Sequence, residues 1–500
     1  MIDLDLILLV GSVVVIVAIL SARLGSRVGL PSLLLFLGVG MLLGETTVTF
    51  DDPDLAHALG FAALVVILAE GGLTTRWNDI KEGIGLASVL ATVGIGISVA
   101  LMATFSHFVL GLDWWLAILL GAATSPTDAA AVFSVLRNVP LPHKLRGVVE
   151  AESGLNDAPT VLLVALASSA ALSGHSDLGP VAAGGLVILE LAAGIGLGIL
   201  LGWLGAQILA RIALPASGLY PLATVVWIVF TYGATSSLHA SGFAAVYVCA
   251  LVLGNANLPH RGATRSFVEG TGWIAQIGLF VMLGLLAEPE RLNQQTVVVA
   301  LLAGLFLTFV ARPASVFLAA TAFRMPFLEQ IFLSWAGLRG AVPIIMATVP
   351  LSMGVPGAEY LFDVVLVFVI VFTCLQAPTL PFVARKLGLV DPERARDVEV
   401  EVAPLDKISA DLLQVWIPES SRIAGVEIGE LRLPRHTVVS LVIRGQTPFT
   451  PTARERLRVG DELLIVTPTS ERDRTEHRLA MLSRQGRLAR WRRDTETSTE

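Results

Sequence analysis

Charge is scarce in this chain. Asp, Glu, Lys and Arg together supply 15% of its 500 residues, against about a quarter in an ordinary soluble protein. Hydrophobic residues supply 54%, and the mean hydropathy is +0.75. Together these exclude a soluble globular chain and leave a polytopic membrane protein. Cysteine is scarcer still: Cys249 and Cys374 both sit in apolar stretches and read as small core residues, which excludes a disulfide framework and a thiolate metal site. The opening Met1-Ile-Asp-Leu-Asp5 has no basic lead, and no small-residue cleavage site precedes Arg23, so the first apolar stretch reads as a retained helix. No Gly-x-Gly-x-x-Gly follows a strand in the polar C-terminal region, no Thr-Val-Gly-Tyr-Gly filter occurs, and no Gly-x-Gly-Asp element occurs. These absences argue against nucleotide sensing by a Rossmann half, a potassium-channel filter and an intramembrane aspartyl protease.

What is present is a series of long apolar runs. About 20 such residues span the hydrocarbon core, and 13 segments qualify, near 4–23, 30–45, 56–74, 84–108, 113–136, 148–172, 181–208, 217–237, 240–256, 268–287, 295–321, 328–352 and 360–383. Basic residues collect in the odd loops: Arg23 and Arg27, Arg76 and Lys81, Arg137 to Arg146, Arg211, Arg261 and Arg265, Arg324, then Arg385 and Lys386 at the exit. The even loops carry only Arg291. Positive loops face the cytoplasm, so the N-terminus is expected outside and the C-terminus inside, in a plasma or bacterial inner membrane. Residues 391–408 read as an acidic linker. Beyond it, the β-type runs 412–417, 437–443 and 462–466 predict a small cytoplasmic α/β module over 409–477. A basic tail over 478–500 contains Arg484 to Arg493 with Leu488 and Trp491.

The chemistry sits in three polar interruptions. Ala151-Glu-Ser-Gly-Leu-Asn-Asp-Ala-Pro159 places Glu152 and Asp157 inside the sixth span, where even a lenient scale charges roughly 2.5–3.5 kcal/mol for a central ionised residue. Glu152 shares a helix face with Asn156, and Ser153 with Asp157. In the fifth span, Pro126 interrupts the helix before Thr127 and Asp128, because it lacks an amide hydrogen and clashes with the preceding turn. Irregular backbone at that depth must line a cavity or be covered by protein. Antiparallel threading then brings Asp128 and Asp157 to similar depth. A purely structural cluster with protonated acids is the bland alternative, but Ser or Asn alone would serve packing. In the twelfth span Arg339 keeps its charge and calls for an anionic partner, with Glu152 the candidate. Glu70, beside Gly71-Gly72, reads equally as support at an ion entrance or as interfacial. Glu150 reads as an interface carboxylate or as lining a cytoplasmic funnel. Arg312 precedes Pro313 near a candidate helix break and receives no role.

Ser125-Pro-Thr-Asp128, Glu152-Ser-Gly-Leu-Asn-Asp157 and Gly337-Leu-Arg-Gly-Ala341 resemble the signature elements of bacterial NhaP-type sodium/proton and potassium/proton exchangers, in the monovalent cation/proton antiporter family. The resemblance covers 1–390 and implies an all-α transmembrane exchanger domain of about 13 helices, with inverted repeats, crossed broken helices and a homodimer. It implies that Asp157 exchanges the proton and the cation, with Ser153 and Thr127 coordinating the cation and Asp128 supporting the break. It also implies a Glu152–Arg339 pair and places Asn156 in the Asn-Asp pair of electroneutral exchangers. Ala129, where many sodium exchangers have Pro, and Gly154-Leu155 lean toward the potassium-handling branch. The stretches 423–434, 438–444 and 457–466 are similar to the C-terminal half of regulator-of-potassium-conductance domains (RCK-C, TrkA-C-like). Such modules sense small ligands, so a small-molecule or nucleotide ligand there is an open expectation.

The expected function is secondary antiport, not enzymatic catalysis. A monovalent cation, potassium favoured over sodium, exchanges for a proton at one carboxylate without net charge movement. No cofactor and no nucleic-acid partner is expected. The alternatives are a sodium/proton antiporter of the same mechanism and an RCK-regulated cation channel.

Overall fold

The computed structural model describes residues 4–28, 32–46, 50, 52–136, 139, 141–174, 179–390, 399–405, 410–445 and 447–486. Residues 487–500, with most of the expected basic tail, and 391–398 and 406–409 of the expected linker lie outside that set. The described chain divides into two compact units, one formed by 1–258 with 265–389, the other by 259–264 with the residues from 390 onward.

The first unit is helical throughout. Its helices are α1 (Leu4–Val28), α2 (Ser32–Thr46), α3 (Pro53–Thr74), α4 (Ile84–Phe108), α5 (Trp114–Thr124), α6 (Ala129–Val135), α7 (His143–Ser173) and α8 (Pro180–Arg211). There follow α9 (Leu219–Ser237), α10 (Gly242–Asn255), α11 (Arg261–Leu286), α12 (Gln294–Ala322), α13 (Phe327–Trp335), α14 (Val342–Ser352), α15 (Ala358–Gln376) and α16 (Leu380–Lys386). Helix falls in each of the 13 expected segments. Among the described residues, however, only 8 helices are continuous, apolar and long enough to cross a bilayer, or 9 if the bent pair α5–α6 counts as one. Short helices such as α2 and α10 and the break between α13 and α14 account for part of the difference.

Those breaks have identifiable causes. Pro126 ends α5, and the chain turns by 46° before α6. Gly337 and Gly340 interrupt the twelfth span between α13 and α14. In α12 the turn Leu307–Ala311 widens to π geometry immediately before Arg312-Pro313. The ring nitrogen of Pro313 cannot donate to the preceding turn, and wide turns of this kind gather at functional sites. Helix α7 continues past Pro159, which costs the Leu155 carbonyl its partner in the helix ladder.

Helix α10 is enclosed: twelve of its residues, Gly242 to Leu251 with Leu253 and Gly254, are buried, packed against α3, α8 and α9. Cys249 lies on it with its thiol 3.4 Å from Thr231 Oγ1. Cys374, expected as a core residue, is exposed instead. Helix α8 is the opposite case, with Ile188, Leu189, Ile199, Leu200 and Trp203 all exposed.

The second unit is an antiparallel sheet of order β1-β2-β5-β3-β4. Its strands are β1 (Glu399–Leu405), β2 (Ala410–Trp416), β3 (Val438–Arg444), β4 (Thr447–Phe449) and β5 (Asp461–Pro468), and the helix α17 (Arg472–Gln485) follows. Strand β1 falls inside the stretch expected as linker. Leu413, Val415, Leu463, Ile465, Leu479 and Leu482 form its core. Arg444 grips the fully buried Asp461 with two bonds of 2.8 Å, and those bonds hold the guanidinium even more firmly in its charged form.

Candidate functional site

The two broken spans meet. The amide of Asp128 donates to the Leu338 carbonyl at 2.8 Å, so one break closes on the other through backbone alone. Gly340 is required at this crossing: a Cβ there would overlap the Asp128 carboxylate. A broken helix leaves amides orphaned at one end and carbonyls at the other, and the site accounts for both. Asp128 Oδ1 accepts from the Ala130 and Ala131 amides, at 2.8 and 3.2 Å, at the start of α6. Arg339 covers the carbonyl ends: its Nε donates to Thr124 at the end of α5 at 3.3 Å, and its Nη1 donates to Gly337 after α13. The ends of α5 and α13 and the start of α6 therefore each meet a charge opposite to their dipole.

Helix α7 supplies the other wall. Ser153 Oγ accepts from the Ala129 amide at 3.0 Å. Asn156 Nδ2 donates to the Thr127 carbonyl at 3.1 Å and to Thr127 Oγ1 at 3.0 Å. Asp157 stands next to this contact, 5% exposed, and Asp128 lies within its electrostatic reach. Asp157 Oδ1 and Asn156 Oδ1 are buried with no hydrogen-bond partner. A buried carboxylate oxygen left unsatisfied is expensive. Asp128 is its electrostatic neighbour, and the adjacent Asn156 is bonded to the Thr127 hydroxyl and carbonyl; oxygen donors of these kinds are the set that hard cations prefer.

The expected Glu152–Arg339 pair is not formed. Glu152 instead pairs with Arg312, Nη1 to Oε1 at 2.5 Å and Nη2 to Oε2 at 3.0 Å, with both residues 5% exposed or less. The reason is geometric: the guanidinium of Arg339 is occupied by the carbonyl ends of the broken helices, while Arg312 presents its fork squarely to Glu152. Arg312 Nη2 also approaches the Leu333 carbonyl in the last turn of α13, at 3.5 Å. A narrow crevice beside this pair is lined by Thr127, Asp128, Val149, Glu152 and Arg312.

Asp128, Thr127, Ser153, Asn156, Asp157, Glu152 and Arg339 are thus drawn together around one crossing. Glu70 is not. Its Oε2 accepts from Gln276 of α11 at 3.4 Å, and its carboxylate packs on Gly272, so its contacts are with α11 and not with the crossing. Two further residues take part, one with a weak signal in the sequence and one with none. Arg312 was a second arginine deep in an apolar span, with three acids to share between two bases. Thr373 of α15, which donates to the Arg339 carbonyl at 2.8 Å, was unmarked.

Residues 12–386 match the family described as sodium/hydrogen exchanger, transmembrane, and residues 412–480 match the TrkA-C domain. A K(+)/H(+) antiporter NhaP from Alkalimonas amylolytica is 35% identical over 81% of this chain and 71% of its own length. A K(+)/H(+) antiporter NhaP2 from Shewanella oneidensis is 32% identical over 92% and 80%. Among solved structures, the sodium proton antiporter MjNhaP1 from Methanocaldococcus jannaschii superposes with a TM-score of 0.66 at 22% identity, covering 77% of this chain and 99% of that one. That likeness is one of fold.

Proposed function

Because this chain belongs to the sodium/hydrogen exchanger family and is a membrane antiporter of cations and protons, we propose that potassium is its cation and that Asp157 carries cation and proton in turn. The unpaired, buried Asp157 Oδ1 supports this reading. A carboxylate in that position is satisfied either by a proton or by a cation that Ser153, Thr127 and Asp128 help to hold, and not by both. The two ligands compete for one site, and only a loaded site crosses the low-dielectric barrier cheaply. Potassium is favoured because relatives that match 81% and 92% of this chain are named for it.

Charge counting supports one-for-one exchange. Asp128, Asp157 and Glu152 oppose Arg312 and Arg339, so the ionised cluster carries one excess negative charge. One cation or one proton cancels it, and Asn156 adds no second exchangeable acid. Exchange is then electroneutral. The same proposal assigns the C-terminal module a regulatory role and the chain a homodimeric state in an inner or plasma membrane, with its basic loops cytoplasmic. The exposed apolar side of α8 is compatible with either lipid or a second copy.

The test is proton flux in proteoliposomes with potassium, sodium, rubidium and lithium compared. Potassium should drive it most effectively, and Asp157→Asn should reduce it to the empty-vesicle level while the protein still folds. An imposed membrane potential should leave the final pH gradient unchanged. Flux with sodium alone would end the potassium assignment, an active Asp157→Asn the site assignment, and a voltage-shifted gradient the stoichiometry. A monomer by native mass spectrometry and by cross-linking in the bilayer would refute the dimer.

A further inference from the structure

Glu150 lies seven residues before Asp157 on α7, so the two are almost eclipsed on the helix surface and about 10 Å apart along its axis. Residue 154 lies between them on that face, and it is Gly. A Cβ at Gly154 would fall within the Tyr247 ring. Tyr247 belongs to the enclosed helix α10 and is 3% exposed. Its ring therefore occupies the place of a missing side chain, midway between the partly exposed Glu150 and the buried Asp157.

The buried hydroxyl of that ring makes no hydrogen bond of full geometry, and the Thr75 hydroxyl serves it only loosely. Thr75 lies beside it and Glu150 is within electrostatic reach. Thr75 is 4% exposed, and its Oγ1 lies 2.7 Å from Glu150 Oε1 and 2.7 Å from the Gly71 carbonyl, so its single proton serves one of them at a time. Thr75 is itself fixed, since its carbonyl accepts from Asn255 Nδ2 at 3.0 Å. One carboxylate and two hydroxyls thus converge at the end of α7 that carries Lys144 and Arg146, the cytoplasmic end in our orientation. A buried tyrosine hydroxyl ordinarily finds a partner, and a buried unsatisfied oxygen next to a carboxylate is what an oxygen-coordinated cation would complete.

We propose that Glu150, Thr75 and Tyr247 form an inner staging site for the monovalent cation, and that the Tyr247 ring is the partition between it and Asp157. The inference deepens the antiport reading and rests on it. The staging site receives the cation from the cytoplasm, or releases it there, and displacement of the ring opens the path along the 150–154–157 face. Glu150 is a positioning group for the ion and not the exchanging carboxylate.

The experiment uses the full-length protein in proteoliposomes of defined orientation, with potassium presented on one side at a time. Glu150→Gln keeps an acceptor for Thr75 and removes the charge. It should raise the half-saturating potassium concentration about fivefold on the cytoplasmic face, with the maximal rate within about twofold, and leave the opposite face unchanged. Tyr247→Phe retains the partition and loses one oxygen, so it should shift the same constant in the same direction by less. Thr75→Val does likewise and serves if Glu150→Gln fails to fold. Equal shifts on both faces, no shift in any variant, or complete loss of exchange in a folded Glu150→Gln would overturn the staging site. An active Asp157→Asn would instead overturn the antiport site itself, so the two failures are distinguishable.

Discussion

Glu152 and Arg312 hold two full charges out of water with a forked contact. Taking either charge away strands the other, which typically costs about 3–5 kcal/mol, whereas removing both is far milder. Glu152→Gln and Arg312→Met should each lower the melting temperature, and the double variant should recover part of the loss. A parallel cycle of Glu152 with Arg339 should give the smaller coupling, and a larger one there would reverse the pairing assigned here. At this scale the sequence was legible in residue identity and blind in pairing. Asp157, Asp128 and Asn156 stood out because ionisable and amide groups are costly in hydrocarbon. Which arginine takes Glu152 depends on contacts 160 residues apart and on the orphaned carbonyls that claim Arg339, and no spacing in the chain encodes that.

The broken helices were legible where a chemical reason for the break lay in the sequence. Pro126 announces the end of α5, whereas a second break was implied only by the resemblance and is placed at Gly337 to Gly340 by the structure. What could not be read was that the Asp128 amide would be answered by Leu338. Gly340→Ala tests the crossing, because the new methyl group would displace the Asp128 carboxylate. Small displacements at a reacting centre are severe, so exchange should fall at least about tenfold, measured as proton flux with expression and melting temperature alongside. Gly337→Ala meets only the side-chain ends of Arg312 and Arg339 and the Thr127 methyl, at 3.0 to 3.2 Å, and should be tolerated better. Equal activity of both variants with wild type would show that the close approach is dispensable. Strand β1 was misread as linker although Glu399-Val-Glu-Val402 alternates with the period of a strand. Its acids and Pro404 suit an edge position, where the unpaired side of the strand needs no partner.

For the whole molecule, the intramembrane groups invoked in exchange all precede residue 390, and the compact helical unit ends at Leu389. The chain truncated after Leu389 should insert and still exchange cations for protons, with a changed rate or pH response. A correctly inserted truncation without exchange would make the C-terminal unit part of the transport machinery. The enclosed helix α10 has a consequence for how the protein meets different lipids. Its 14 residues reach about 21 Å, well short of the roughly 30 Å hydrocarbon layer. It can be that short because protein surrounds it on nearly every side. Changes in acyl-chain length therefore act on the 32-residue α8, which can tilt or deform the surrounding leaflet. The partition residue on α10 is carried inside, insulated from the thickness of the membrane.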